Sequence, residues 1–440
     1  MLSYYFMLGV RSLRRNPALT ALMVLTLAIG VAASVATLTI LHVMSSNPIP
    51  QKSERLFVPL IDNGPLEGYN PNEDENQKGN EQLSYIDAAN FLKSGVGERR
   101  AVSFGVNAAI EPAHKDLPAM SSDGLAPSRD FFAMFDVPFL YGQPWSEADD
   151  KAGADVVVLS KALSEKLFGA ANPVGQRVRM MGFDYQVVGV LQPWLPVPKF
   201  YRLVGGGGAF SQEDEFMIPF SSAIRHETGH SGSMSCSGRR DPGYQGLLNS
   251  ECTWLQFFFE AKSASDRADL QNYLDNYASE QRKLGRMKRK VPNLLFDVMG
   301  WLEHRKVVAN DSRLAAWLAF GFLVLCLVNT IGLLLAKFSV RASEVGIRRA
   351  LGASRKEIFQ QFLTETAVVG LVGGGTGLLL AFGALWLIAL QSRQLQVVAH
   401  MDWQMLGLTF VLSLLAAVIA GLLPTWRACQ VTPAIQLKSQ

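Results

Sequence analysis

Asp, Glu, Lys and Arg are missing altogether from four long stretches of this 440-residue chain: Asn16 to Gln51, Leu314 to Ala336, Thr366 to Ser392 and Trp403 to Trp426. Each run exceeds the about 20 residues that cross about 30 Å of hydrocarbon, so together they predict four transmembrane helices rather than buried core helices, at residues 17–44, 314–337, 365–391 and 403–426. A second absence is the phosphate-cradling sequence G-x-x-x-x-G-K-[ST]. Gly205-Gly-Gly-Gly208 lacks that context, so hydrolysis of ATP by this polypeptide alone is excluded and no bound cofactor is expected. Net charge is also nearly missing, at +3. That value decides nothing, because it sums compartments that never meet.

The first run is too long for the about 7–15 residues of a cleavable signal and follows Arg11, Arg14 and Arg15, so it reads as an uncleaved anchor. Basic residues close to membrane ends favour the cytoplasm. They precede the first helix, lie between the second and third (Lys337, Arg341, Arg348, Arg349, Arg355, Lys356) and follow the fourth (Arg427, Lys438), whereas residues 392–402 offer only Arg393. Residues 1–16, 338–364 and 427–440 are therefore expected inside. Residues 45–300, a stalk at 301–313 and the loop 392–402 are expected outside.

The outer stretch is long enough for one or two globular units. Asp62 to Gln82 is polar and reads as an exposed excursion. Beyond it, residues 131–135 and 161–168 read as helices and residues 156–159, 185–190, 217–219 and 253–260 as strands, a mixed α/β pattern. Cys236 and Cys252 are the only cysteines there. In an oxidising space they are a disulfide candidate, with two buried thiols as the alternative; closing about 15 residues would contribute about 3 kcal/mol. Cys326, in the second run, and Cys429, inside, are expected to stay unpaired.

Two polar motifs have bland and chemical readings. His226-Glu-Thr-Gly-His230 satisfies H-E-x-x-H, with Glu251 as a nominal third ligand, which would make a membrane-anchored zinc metalloprotease. Gly229 and the Gly/Ser run after it argue against the helix that this chemistry needs. The basic run Arg282, Lys283, Arg286, Lys288, Arg289 and Lys290 reads as a solvated helix face before a contact with anionic lipid or an acidic partner.

The cassette Arg341 to Lys356 interrupts the apolar runs on the inner side. Val345, Ala350 and Leu351, with Ile347 and Ser354, predict a narrow apolar side, and Glu344 stands four residues before Arg348 in the favourable ion-pair order. A short basic amphipathic helix follows, whose partner is either membrane lipid or protein.

Glu344-Val-Gly-Ile-Arg-Arg-Ala-Leu-Gly-Ala353, then Glu357-Ile-Phe-Gln-Gln-Phe-Leu-Thr-Glu365 and Gly370-Leu-Val-Gly-Gly-Gly-Thr-Gly377, closely resemble the FtsX-like permease domain of MacB-type ABC transporters, the type VII or mechanotransmission class. Pro127-Ser-Arg-Asp-Phe-Phe132, Val137-Pro-Phe-Leu-Tyr-Gly142, Val156-Val-Val-Leu-Ser160, Leu167-Phe-Gly169 and Asn172-Pro-Val-Gly175 resemble the MacB periplasmic core. The resemblance implies a four-helix membrane part with an outer domain of porter-like and inserted subdomains, in the inner membrane. It implies ATPase-coupling residues Glu344, Val345, Gly346, Ile347, Arg348, Arg349, Ala350, Leu351, Gly352 and Ala353, and two copies of a cytoplasmic ABC ATPase that bind ATP and Mg. With the chain starting at the membrane, that ATPase is expected as a separate subunit. A homodimer or a heterodimer with a paralogous permease, a periplasmic adaptor and an outer-membrane channel complete the implied partners, and nucleic acid is not among them. Gly373 and Gly377 give the small-x-x-x-small spacing that lets helices approach closely, with lipid-facing packing as the alternative. Two functions stay open: export of a peptide, drug, lipid or lipoprotein, and an FtsX-like transmitter that regulates an envelope enzyme.

Overall fold

Val102, Phe104, Val106, Ala108 and Ile110 alternate with small or polar residues and give the longest strand, Arg99–Glu111, one unbroken apolar face, a period-two signal that is present in the sequence although this strand is not among those expected above. The computed structural model describes residues 16–399 other than 65, 67–68, 71–80, 112–118, 205–207, 237, 290 and 392, together with 7, 407, 411, 415, 418, 421–422 and 424–426. The chain divides into two units, residues 46–307 and residues 1–45 with 308–440.

The described residues of 46–307 are built on one sheet of twelve strands: β1 (Leu56–Leu60), β2 (Leu83–Ser84), β3 (Arg99–Glu111), β4 (Met120–Pro127), β5 (Phe139–Gly142), β6 (Val156–Leu159), β7 (Arg177–Met180), β8 (Phe183–Leu191), β9 (Phe216–Met217), β10 (His230–Ser231), β11 (Thr253–Glu260) and β12 (Leu294–Asp297). Its main path runs β12-β1-β11-β3-β4-β9-β6-β8-β5. Pairing is antiparallel except at β4–β9 and β6–β8. Period-two alternation divides the sheet into two cores. On β11, Phe257 and Phe259 join Phe91 and Tyr277 on one side, while Phe258 joins Phe135 and Phe200 on the other. Helices Lys161–Phe168 and Arg267–Lys283 cover the first side through stripes such as Leu270, Leu274, Tyr277 and Ala278. Helices Asp130–Met134 and Val298–His304 supply Phe131, Phe132, Trp301 and Leu302 to the second.

Long connections are tied down by buried charges. Asp214 accepts from Lys199 Nζ at 2.9 Å and from the Tyr201 hydroxyl at 2.8 Å, and pairs with Arg202. The Arg202 guanidinium reaches Ser231 Oγ at 3.0 Å and lies where a side chain on residue 105 would stand, which is why β3 carries Gly105. Burial pushes a carboxyl up, yet Lys199 and Arg202 hold that of Asp214 below its ordinary value. The excursion after β1 differs from expectation at its ends. Asp62 is buried and accepts from Arg289 Nε at 2.9 Å, and Asn63 Nδ2 donates to the Gln82 carbonyl at 2.9 Å; residues 71–80 lie outside the described ones. The basic run is likewise corrected: the helix stops at Lys283, and Arg286 and Arg289 turn in to Asp87 and Asp62, each at 2.9 Å.

Among the described residues of 1–45 and 308–440, three helices are long and apolar enough to cross a membrane: Pro17–Ser45, Asn310–Val340 and Arg355–Gln391. The fourth expected helix, at 403–426, lies almost wholly outside the described residues, as do segments 1–16 and 427–440. Helix Pro17–Ser45 is the common partner, burying Leu27, Val31 and Val35 against Ala381, Leu323 and Leu327. The loop expected at 392–402 holds a short helix, Arg393–Val398.

The stalk expected at 301–313 is not one helix. Helix Val298–His304 ends with Lys306 at φ 49°, and the next helix starts at Asn310. Val307 N–H bonds back to the Leu302 carbonyl at 3.0 Å, a Schellman-type stop made with Lys306 where glycine is usual.

Substituting Asp214→Asn leaves Lys199 and Arg202 buried without their counter-charge, so the outer domain should lose about 3–5 kcal/mol, read as a lower urea midpoint. An unchanged midpoint would show that the network is incidental.

Candidate functional site

The cassette at residues 341–356 folds as a helical hairpin. Helix Asn310–Val340 gives way at Arg341 to helix Ala342–Ala350, which is capped by Leu351. Gly352, at φ 100°, takes the left-handed position that ends helices, with Gly352 N–H to the Arg349 carbonyl at 3.1 Å and Ala353 N–H to the Arg348 carbonyl at 3.0 Å. Ser354 then starts helix Arg355–Gln391 through a capping box: its Oγ accepts from Glu357 N at 3.2 Å, and Glu357 Oε2 accepts from Ser354 N at 2.9 Å. Leu351-Gly-Ala-Ser354 is thus a stop followed at once by a start. The third membrane helix begins about ten residues before its charge-free run.

Of the ten cassette residues named from the sequence, the structure sends two inward. Val345 packs with Phe338, Ile358 and Phe362, and Gly346 is buried beside it. The expected apolar side is therefore divided, because Ile347 is 59% and Leu351 83% exposed, with Ala350 and Gly352 also outward. Ile347 and Leu351 stand one turn apart on a single face. Arg348 flanks it, held by Glu344 Oε1 at 2.6 Å and Gln361 Oε1 at 3.1 Å. The result is a compact apolar spot with the Arg348 guanidinium beside it.

Two buried charges, Lys337 and Glu365, and the part-buried Arg341 root this hairpin. Glu365 is ion-paired with Lys337 Nζ at 2.5 Å and accepts from Arg341 Nη1 at 3.0 Å. Lys337 is 0% and Glu365 1% exposed. Sequence reasoning quoted Glu365 in a motif without giving it a role; the available signal was Lys337 and Arg341, one turn apart, facing an acid at the head of the next apolar run. Charges in such a setting persist only when paired.

Further along, Gly373 and Gly377 both meet helix Pro17–Ser45. A Cβ on Gly373 would stand 2.7 Å from Leu27 Cδ2, and one on Gly377 would stand 2.8 Å from Val31 Cβ and 2.9 Å from the Ala28 carbonyl. Close helix approach explains both, and lipid-facing packing does not.

The zinc reading is corrected by the backbone. His226 caps the short helix Phe220–Arg225, Glu227 has φ 51°, and His230 belongs to β10, so the two imidazoles do not share a helical face. His226 Nε2 instead meets Asp155 Oδ1 at 2.7 Å and its ring lies 3.6 Å from that of Phe183, while Glu251 faces Arg286 at 3.5 Å. Partial burial raises the Asp155 carboxyl, but hydrogen bonds from His226 and Arg225 hold it below its ordinary value. Cys236 and Cys252 form a disulfide, and Ser235 pairs with Thr253 beside it.

Residues 20–277 match the MacB-like periplasmic core domain, and residues 316–433 match the FtsX-like permease C-terminal domain. The chain belongs to the MacB/FtsX-like family of ABC-transporter permeases. Among curated relatives, the pyoverdine export ATP-binding/permease protein PvdT of Pseudomonas entomophila (strain L48) is 27% identical over 317 residues, 70% of this chain and 42% of that protein. The macrolide export ATP-binding/permease protein MacB of Bdellovibrio bacteriovorus is 23% identical over 298 residues, 67% of this chain and 40% of that one. The chain therefore spans about two fifths of the length of these relatives. Among solved structures, the periplasmic region of MacB from Actinobacillus actinomycetemcomitans overlaps 57% of this chain and 94% of its own, at 13% identity and a TM-score of 0.35. Family membership rests on the two domain matches.

If Glu365 is the root of the hairpin, Glu365→Gln should loosen it while leaving the outer domain intact. Limited proteolysis should then cut near Gly352 several-fold faster; equal rates would argue that the ion pairs do not hold the hairpin.

Proposed function

We propose that this chain is the membrane subunit of an ABC exporter in the inner membrane, and that helix Ala342–Ala350 is the surface through which a separate cytoplasmic ATPase acts on it. The observation that carries this reading is the exposed pair Ile347 and Leu351 beside Arg348, on a helix whose opposite side is fixed by Val345 and by the Lys337–Arg341–Glu365 cluster. An apolar centre with a basic rim is the composition of a protein-contact hot spot. Glu365 ties the cassette to the roots of two apolar helices, so force applied at Leu351 is delivered to both.

In this reading the cassette and both termini face the cytoplasm, residues 46–307 lie in the periplasm, and two ATPase copies serve a homodimer or a heterodimer of permeases. ATP and Mg bind the partner. The relatives' names, which refer to export of pyoverdine and of macrolides, favour export over regulation of an envelope enzyme. A periplasmic adaptor and an outer-membrane channel would complete the route.

Reversing both charges in Arg348→Glu with Arg349→Glu should leave membrane insertion unchanged and abolish co-purification of the ATPase. Truncating Ile347→Ala or Leu351→Ala should weaken that association about tenfold each. Retained association and coupling in all of these variants would refute the docking surface. For orientation, a membrane-impermeant thiol reagent applied from the periplasmic side should label Lys288→Cys and spare Ser343→Cys, and the reverse pattern would overturn the topology.

A further inference from the structure

Near the Ser45 end of helix Pro17–Ser45 and the Asn310 end of helix Asn310–Val340 lies a cleft of about 460 Å³, lined by Leu38, Leu41, Arg313, Ala316, Trp317 and Phe320. Five of these side chains are apolar and one is permanently charged. Arg313 immediately precedes the charge-free run that starts at Leu314, which puts its guanidinium where hydrocarbon gives way to head groups. Trp317 stands one turn further in, at the depth where amphipathic rings are enriched. Among the described residues no carboxylate pairs with Arg313.

Water at the membrane surface would satisfy the guanidinium but not the apolar walls. An apolar ridge from another protein would fill the walls and leave the guanidinium without a counter-ion. A phosphodiester carrying an acyl chain meets both demands, because its oxygens match the guanidinium fork and its chain matches the slot between Leu38, Leu41 and Phe320. The small floor residue, Ala316, keeps that slot open. The volume also falls within the about 300–1,000 Å³ usual for ligand clefts.

We propose that this cleft is a binding site for an anionic phospholipid of the surrounding bilayer, with the phosphate held by Arg313 and one acyl chain lying against Leu38, Leu41, Trp317 and Phe320. The inference rests on the membrane placement of these helices given above, and not on the ATPase contact. Bound there, the lipid joins the first and second membrane helices at their ends remote from the coupling hairpin.

The test is native mass spectrometry of the full-length chain released from detergent, titrated with phosphatidylglycerol or with phosphatidylcholine of the same acyl chains. One phosphatidylglycerol should be retained per chain, about tenfold more tightly than phosphatidylcholine, as expected for loss of one charge-assisted contact. Arg313→Gln should erase that preference and Arg313→Lys should keep most of it, while Ala316→Phe, which fills the slot, should lower retention of both lipids. Equal retention of the two lipids by the wild type, or a preference that survives both Arg313→Gln and Ala316→Phe, would overturn the site. So would a change of oligomeric state in Ala316→Phe with lipid retention unaltered, since that outcome assigns the face to a second copy of the chain. The ATPase-contact variant Arg348→Glu with Arg349→Glu should keep the lipid preference, which separates failure of the lipid site from failure of the coupling reading.

Discussion

A carboxylate buried among apolar helices is tolerable only while cations stay within hydrogen-bond reach, and Glu365 has two. Removing one partner of such a group costs about 3–5 kcal/mol, so the cluster fixes where helix Asn310–Val340 ends and where helix Arg355–Gln391 lies beside it. The hairpin between them inherits its position. Val345 can then dock inward against Phe338 and Phe362, which leaves Ile347 and Leu351 no choice but the outer face. The proposed contact surface is in this sense a by-product of charge burial one turn away.

The outer domain solves a similar problem with the same device. Its sheet buries both faces, so the connections that cross it must be held without large cores of their own. Asp62, Asp87 and Asp214 do this by pulling Arg289, Arg286 and the pair Lys199 and Arg202 out of solvent. Basic residues that look solvated in one dimension become structural in three. The composition of residues 282–290 carries no sign of this, because the paired acids lie about 200 residues away.

Local pattern accounts for what could be read beforehand. Val156-Val-Val-Leu159, Thr253 to Glu260 and the helix at Lys161–Phe168 have strong periodicity or short apolar runs between clear stops, and each forms as expected. The glycine pair at 373 and 377 was legible as spacing, although the partner helix was not. β3 carried an equally legible period-two run, Val102 to Ile110, that does not figure among the expected strands; what could not be read was that Gly105 makes room for the Arg202 guanidinium. Two other things were hidden for physical reasons. The stop and start at 351–354 leave no mark in hydropathy, because capping depends on Gly352 φ and Ser354 geometry. The inward and outward sides of the cassette were mixed because a nine-residue helix has too few turns for its apolar stripe to be unambiguous.

The break between Arg305 and Ala309 alters how force can travel along the chain. An unbroken helix carries both displacement along its axis and rotation about it. Here the helix Val298–His304 closes on itself through Arg305 N–H to the Trp301 carbonyl, Lys306 N–H to the Glu303 carbonyl and Val307 N–H to the Leu302 carbonyl, and the next helix reopens with Ser312 N–H to the Ala309 carbonyl. Only Val308 separates those two sets of hydrogen bonds. The ladder of helical hydrogen bonds is therefore interrupted at Val308, so helix Asn310–Val340 and helix Val298–His304 are two separately closed helices rather than the single rod that the stalk reading of residues 301–313 implies.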